Sequence, residues 1–281
     1  MTSSLNLINW VYLLPETLVL SNLLILCIFE IISPKVSKII TLSLCLICLL
    51  GSLAYLIFEW VEFSEANSHI FSFFESFQTD PLTITFRILI VLSTIFSILF
   101  SFDYIQSSTK LINEFIILIL TACLGSMLLC GANNLVLVFI GLETLSFSSY
   151  LLTAYTKLDV RSNEAALKFF SLGGVSSSIL LYGFSLLYGL SKGHLNFYKI
   201  NEVFLSIPEM RILNLLFGSQ VMIWKNLIEV FAILSLIIGN FSALSQRSFK
   251  RFLAYSSIGQ IGFLLIGLVV GSENGYSSMI F

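Results

Sequence analysis

The chain has 281 residues, of which 57% are hydrophobic and 11% are charged, and its formal net charge is -2. A soluble domain carries roughly 25% charged residues, so these polar side chains are too few to coat a globule of this size. The composition therefore excludes a soluble enzyme. The slightly negative charge also excludes a basic surface for nucleic acid, and the solvent of this chain is predicted to be lipid.

Eight apolar stretches follow one another along the chain, and a helix needs about 20 such residues to cross the hydrocarbon core. Backbone groups in lipid must be satisfied within one segment or in a closed barrel, and runs this long without alternation favour helices. The sequence predicts an all-α polytopic membrane protein, a single membrane domain of about eight transmembrane helices over residues 1–281. The predicted spans are 11–32, 39–59, 82–102, 115–132, 135–155, 165–190, 227–245 and 252–270.

Two segments are not predicted to span the membrane. Residues 60–81 alternate phenylalanines with acidic residues, which predicts an amphipathic interfacial segment. Residues 190–226 contain asparagines, a proline and several charges, which predicts a polar connection with a short helix near 203–217.

Lysine and arginine are distributed unequally between the two sides of the predicted bundle. Nine of the 14 fall on the side of loops one, three, five and seven. The positive-inside rule then places both termini on the opposite, non-cytoplasmic side.

Glu143 lies near the middle of the fifth predicted span, where an acidic side chain costs roughly 2.5–3.5 kcal/mol on insertion scales. Ser146, Tyr150 and Thr153 continue from it at helical spacing and form one polar stripe. A movable cation beside such a carboxylate would switch its protonation, which predicts a proton relay. A static ion pair between two helices is the structural alternative.

Lys168, in the sixth span, is the candidate charge partner of Glu143, with a snorkelling interfacial anchor as the alternative. Arg87 begins the third span and is predicted to be an anchor. Glu16 and Glu229 lie in first turns of apolar helices, where the helix dipole favours a carboxylate, and are predicted to be caps or anchors.

Small residues are frequent in the sixth and eighth spans, and they let membrane helices approach closely. No motif for a redox group is present: the C-x-x-C of Cys45 and Cys48 lacks the further ligands of a metal site. His69 and His194, both in predicted loops, do not form a haem-ligating pair. The chain itself is predicted to bind no cofactor and no metal.

Three stretches resemble the antiporter-like membrane subunits of complex I, of the subunit N or subunit 2 type, and together they cover residues 114–190 and 227–278. The most specific is the run K-R-F-L-A-Y-S-S-I-G-Q-I-G at 250–262. The other two are E-F at 114–115 through C-G-A-N-N-L at 130–135 to G-L-E at 141–143, and S-Y-L-L at 149–152 with R-S-N-E-A-A-L-K at 161–168.

The resemblance implies a membrane-arm subunit that couples quinone reduction to proton translocation, with Glu143 as its central carboxylate. NAD(P)H or ferredoxin, iron–sulfur clusters and quinone would then belong to other subunits of the complex. The form of the second stretch is closer to cyanobacterial and plastid members, which implies the plastid thylakoid membrane, with the mitochondrial inner membrane as the alternative.

The sequence departs from the family pattern between the stretch that ends near Gly189 and the one that begins near Asn226. The family places a broken helix and further intramembrane lysines there, and residues 190–225 match neither. A reduced subunit, or one completed by a companion chain, is therefore expected. Two alternatives remain at this point: a non-pumping structural subunit of the same complex, and a free-standing cation/proton antiporter.

Overall fold

The computed structural model describes residues 10–32, 38–66, 70–108, 112–206, 226, 228–246 and 248–270. Most of the short helix expected near 203–217 lies outside these ranges. Contacts between the residues divide the chain into two compact units, Met1–Val203 and Phe204–Phe281.

Helices dominate the described residues, which confirms the predicted all-α, multi-span class. Six of them are long and apolar enough to cross a membrane, and α8 is a shorter apolar helix. In unit 1 a 3-10 turn at Trp10–Leu13 precedes α1 (Leu14–Ile32), α2 (Lys38–Ala66), α3 (Pro81–Ser108), α4 (Ile112–Cys130), α5 (Leu135–Thr153), α6 (Val160–Leu190) and α7 (Phe197–Ser206). In unit 2 lie α8 (Ile228–Leu244) and α9 (Phe249–Val270).

Local side chains set where several helices begin. Asn134 caps α5, because its side-chain oxygen accepts a hydrogen bond from the backbone N–H of Val136 at 2.9 Å. Asp159 caps α6 in the same way through the N–H of Arg161. Pro81 opens α3, a position where its missing N–H costs nothing.

The segment after the second span differs from the expected interfacial stretch in its secondary structure. Helix α2 runs on to Ala66, and a two-stranded antiparallel hairpin follows, β1 (Ile70–Ser72) and β2 (Phe77–Thr79). Its turn carries three consecutive non-glycine residues in the left-handed region, Phe73, Phe74 and Glu75. Side chains there are disfavoured by roughly 1–2 kcal/mol per residue, so contacts outside the turn must hold this conformation.

The core of unit 1 lies between α1, α2, α3 and α4, each of which contacts the next, with α1 also packing on α4. Its centre is formed by fully buried aliphatic residues such as Val19, Leu49, Val91 and Leu120. Helix α5 packs on α4, and α6 packs on α5. Among the described residues of α6 only Ala166 is buried, so most of this helix faces outward.

Close helix approach occurs where glycines meet. A Cβ added at Gly125 of α4 would lie 2.8 Å from the backbone nitrogen of Leu145 and 3.0 Å from the carbonyl oxygen of Gly141, on α5. In unit 2, Gly239 of α8 meets Gly259 of α9 in the same way, as the small residues of the eighth span predicted. Among the glycines of α6, Gly173 lies close to the Tyr150 ring. An added Cβ would meet no atom within 4 Å at Gly174, Gly183 or Gly189.

Replacing Gly125 by leucine should destabilise unit 1 by about 1–3 kcal/mol, the usual cost of overpacking, because the side chain would enter the backbone of α5. The matched control is Gly51→Leu in α2, where an added Cβ meets nothing within 4 Å. Thermal unfolding of both variants in lipid nanodiscs measures the difference. Equal unfolding temperatures for the two variants would contradict the close α4–α5 contact.

Candidate functional site: charged groups within the bundle

Glu143 lies in the middle of α5 and is half-buried. Among the described residues its carboxylate has neither a salt bridge nor a hydrogen bond. In the polar stripe that continues from it, the Thr153 hydroxyl donates to the Tyr150 carbonyl at 2.6 Å. The Glu143 carboxylate keeps its acceptor capacity among the described residues.

Lys168 does not meet Glu143 in this structure. Its ammonium binds Glu164 at 2.6 Å, one turn away on α6, and both side chains are well exposed. Aromatic rings hold α5 against α6, with ring centroids 4.7 Å apart for Tyr150 and Phe169 and 6.3 Å apart for Phe147 and Phe170. The two predicted site residues are not brought together, because Lys168 is paired with Glu164 instead.

Arg87 is fully buried, whereas the sequence predicted an anchor at the interface. Its Nη2 binds the Glu16 carboxylate at 2.6 Å and donates to the Tyr12 carbonyl at 3.1 Å. Its Nη1 lies 3.6 Å from Oε2 of Glu59. Glu16, predicted to be a cap or anchor, is instead one of two buried carboxylates beside this guanidinium. We call Glu16, Glu59 and Arg87 the buried charge cluster.

An aromatic ring closes the cluster on the side of the hairpin. The guanidinium carbon of Arg87 lies 5.4 Å from the centroid of the Phe77 ring, within range of a cation–π contact. The Cζ end of that ring is pressed against Gly131, where any side chain would collide with it. The glycine in the α4–α5 link is thus required so that Phe77 can reach Arg87.

Several atoms of the cluster have no hydrogen-bond partner although they are buried from solvent. They are Oε1 of Glu16, both carboxylate oxygens of Glu59, and Nε and Nη1 of Arg87. Two carboxylates and one guanidinium also leave an excess of negative charge if all are ionised. Glu59 was not identified from the sequence because it lies near the end of a long apolar run. The signal was its position about 10 Å before the end of α2 by helical rise, a depth similar to that of Arg87 after the start of α3.

A polar network joins three segments at the hairpin end of unit 1. The N–H of Gln78 donates to the carbonyl of Gly131 at 2.7 Å, and the N–H of Phe197 donates to that of Asn133 at 3.1 Å. Lys199 of α7 binds the Glu75 carboxylate at 2.6 Å. These bonds explain how the left-handed turn is held, and the hydrogen bond from Lys199 lowers the pKa of the Glu75 carboxyl below its ordinary value.

The family model that matches this chain is described as NADH:quinone oxidoreductase/Mrp antiporter, transmembrane, and it matches residues 132–223 and 206–281. The match covers more than half of the chain and confirms the resemblance stated from the sequence. It includes Glu143, Lys168 and both helices of unit 2.

Curated relatives extend the likeness over nearly the whole chain. NAD(P)H-quinone oxidoreductase subunit 2 of the Mesostigma viride chloroplast is 37% identical over 95% of this chain. The protein of the same name from Thermosynechococcus vestitus is 39% identical over 96%. This chain spans 64% and 62% of their lengths. The Mesostigma alignment has 324 positions against a chain of 281 residues, so that relative contains positions without a counterpart here.

Two solved structures share the fold. A chain of respiratory complex I from Thermus thermophilus superposes with a TM-score of 0.67 at 22% identity, covering 92% of this chain and 65% of that one. A chain of the archaeal membrane-bound sulfane sulfur reductase gives 0.74 at 20% identity, covering 94% and 66%. At these identities the likeness establishes the fold of a multi-pass membrane protein.

Substitution of Arg87 by methionine should lower the free energy of unfolding by about 3–5 kcal/mol, because Glu16 and Glu59 would remain buried without their cation. Arg161→Met, at an exposed position of α6, is the control and should change it by less than about 0.5 kcal/mol. Denaturant unfolding in nanodiscs provides the comparison. The triple variant Arg87→Met/Glu16→Gln/Glu59→Gln should recover most of the lost free energy of unfolding. If it does not, the loss comes from the changed shape of the side chain at position 87 and not from its charge.

The Glu75–Lys199 pair should make the hairpin end sensitive to acid. Because the folded pKa of Glu75 is lowered, the pair contributes stability that is fully present above the unfolded value of about 4.3. That contribution disappears as the pH falls through the lowered folded pKa. Lys199→Met should therefore cost up to about 1 kcal/mol at neutral pH, as expected for a partly exposed pair, and nothing in acid.

The matched control for this substitution is Lys192→Met, at an exposed position in the same connection. Unfolding temperatures of the wild type and both variants, taken across the acidic range, give the measurement. A penalty for Lys199→Met that persists unchanged in acid would mean that its packing, rather than its charge, matters.

Proposed function

The chain belongs to the NADH:quinone oxidoreductase/Mrp antiporter membrane family, and from that premise we propose that it is a membrane-arm subunit of an NAD(P)H- or ferredoxin-linked quinone oxidoreductase. In this role it couples quinone reduction elsewhere in the complex to proton translocation across the membrane. The observation that carries the proposal is the 37–39% identity to NAD(P)H-quinone oxidoreductase subunit 2 over nearly the whole chain.

In this proposal the redox groups reside in partner subunits. NAD(P)H or ferredoxin, the iron–sulfur clusters and the quinone bind there, and this chain responds to their reduction through its neighbours in the membrane arm. Its outward-facing helix α6 and the length it lacks relative to its relatives favour further helices, from the same complex or from a companion chain, beside unit 1.

Glu143 is the proton-carrying group of the proposal. It lies in the middle of an apolar helix with unused acceptor capacity among the described residues. The protonation of a carboxylate in that place changes with the charge of the group that approaches it. Lys168 is the candidate source of that charge. Since its present partner Glu164 is exposed, the pair is only weakly held, and Lys168 must leave it to act on Glu143.

A non-pumping structural subunit is the second candidate function. The observation in its favour is that Glu143 has no cationic partner among the described residues. A free-standing cation/proton antiporter is the third, and co-purification with hydrophilic redox subunits would count against it. For the site of action we propose the plastid thylakoid membrane, supported by the chloroplast relatives, with the mitochondrial inner membrane as the alternative.

Glu143→Gln in the assembled complex should abolish coupled proton movement while quinone reduction continues. A positioned acid–base group contributes roughly 100-fold or more to a proton transfer, and glutamine of the same shape cannot carry the proton. The measurement is the number of protons moved per quinone reduced in sealed vesicles. Glu202→Gln, an exposed carboxylate on α7, is the control and should pump normally. Normal pumping by Glu143→Gln would contradict the relay and support the structural role.

A further inference from the structure

We propose that the buried charge cluster of Glu16, Glu59 and Arg87 is a separate proton-binding site, in which Glu59 takes up and releases one proton while Glu16 stays paired with Arg87. The site lies on α1, α2 and α3, away from Glu143 on α5. It does not depend on the function proposed above, because it follows from the charges and contacts of this chain alone.

The first argument is the balance of charge. The guanidinium of Arg87 is always protonated, and its side chain and those of the two glutamates are 95–100% buried. With both carboxylates ionised the cluster would carry a net negative charge inside the bundle, which is costly to bury. One added proton makes the cluster neutral.

The contacts identify the carboxylate that carries this proton. Glu16 lies 2.6 Å from Arg87 Nη2, the short distance of a charge-assisted hydrogen bond to an ionised carboxylate. Glu59 is 3.6 Å from Nη1, and neither of its oxygens has a hydrogen-bond partner. The ionised state is therefore stabilised at Glu16, and the proton resides on Glu59.

The groups facing the cluster supply no second cation among the described residues. Tyr12 lies on the 3-10 turn before α1, and Tyr55 and the exposed Glu62 lie on α2 beside Glu59 itself. Cys123 and Cys130 approach from α4, and the Phe77 ring covers the guanidinium. These groups are neutral or acidic at neutral pH, so a proton is what remains to balance the second carboxylate.

A cavity of about 210 Å³ lies beside the cluster, and its lining includes Glu16, Thr17 and Phe77 among leucine side chains. The unpartnered oxygens of Glu16 and Glu59 are closed off from solvent in this structure. Uptake and release of the proton therefore require a local opening of the packing around the cluster, and this cavity is the nearest space toward which it can open.

The step is a simple protonation. An O–H bond forms at a Glu59 oxygen while a hydrated proton becomes water, and release is the reverse. No electron is transferred and no other reactant is consumed.

Infrared difference spectroscopy of the full chain in nanodiscs tests the proposal, because a protonated carboxyl has its own carbonyl band. The spectra are taken between neutral and alkaline pH in the Glu143→Gln background, so that the other intramembrane carboxyl does not contribute. We expect one titrating band, sensitive to deuterium exchange, that is lost in Glu59→Gln. Glu62→Gln, an exposed acid one turn further along α2, should keep it.

Two further results discriminate this site from a static ion pair. Glu16→Gln should remove the band at neutral pH, because Arg87 then pairs with Glu59 and ionises it. Glu59→Gln should unfold at the same temperature as the wild type or higher, because glutamine imitates the neutral acid. A band that survives Glu59→Gln, a band unaffected by Glu16→Gln, or a clear loss of stability in Glu59→Gln would each overturn the proposal.

Discussion

The charge of Arg87 decides how the first three helices come together. A guanidinium within the bilayer needs carboxylates around it, and Glu16 and Glu59 reach it from two other helices. Because the three side chains lie at similar distances from the hairpin end, α1, α2 and α3 can satisfy them in only one relative register. Aliphatic packing elsewhere in unit 1 is far less directional, so the cluster specifies an arrangement that apolar contacts then stabilise.

The chain thus holds intramembrane acids in two different surroundings. Glu59 and Glu16 share a fixed cation that is locked by packing, by the Tyr12 carbonyl and by an aromatic ring. Glu143 has no ionic partner among the described residues, and the helix that packs on its own, α6, is largely exposed. The charge of the first pair is set by Arg87 of the same chain, whereas the charge of Glu143 depends on the groups that pack beside α5. The second kind of site suits a subunit that works inside a larger membrane assembly.

Much of the helical plan could be predicted from the sequence because the thickness of a bilayer fixes the length of an apolar run. The hairpin could not, since Phe73, Phe74 and Glu75 carry no glycine signal and their left-handed turn is stabilised by bonds to segments distant in the sequence. The burial of Arg87 was also missed. Its position near a helix start indicates an anchor until α1 and α2 are seen to supply carboxylates at that depth.

For the candidate site, the position of Glu143 within a helix followed from its apolar neighbours, but its surroundings did not. Pairing with Lys168 depends on the register between α5 and α6, which aromatic contacts such as Tyr150 with Phe169 help to set. The Phe77 ring has a mechanical consequence of its own. Because it touches both Gly131 and the guanidinium of Arg87, a shift of the α4–α5 link against the hairpin would be transmitted to the charges that join α1, α2 and α3.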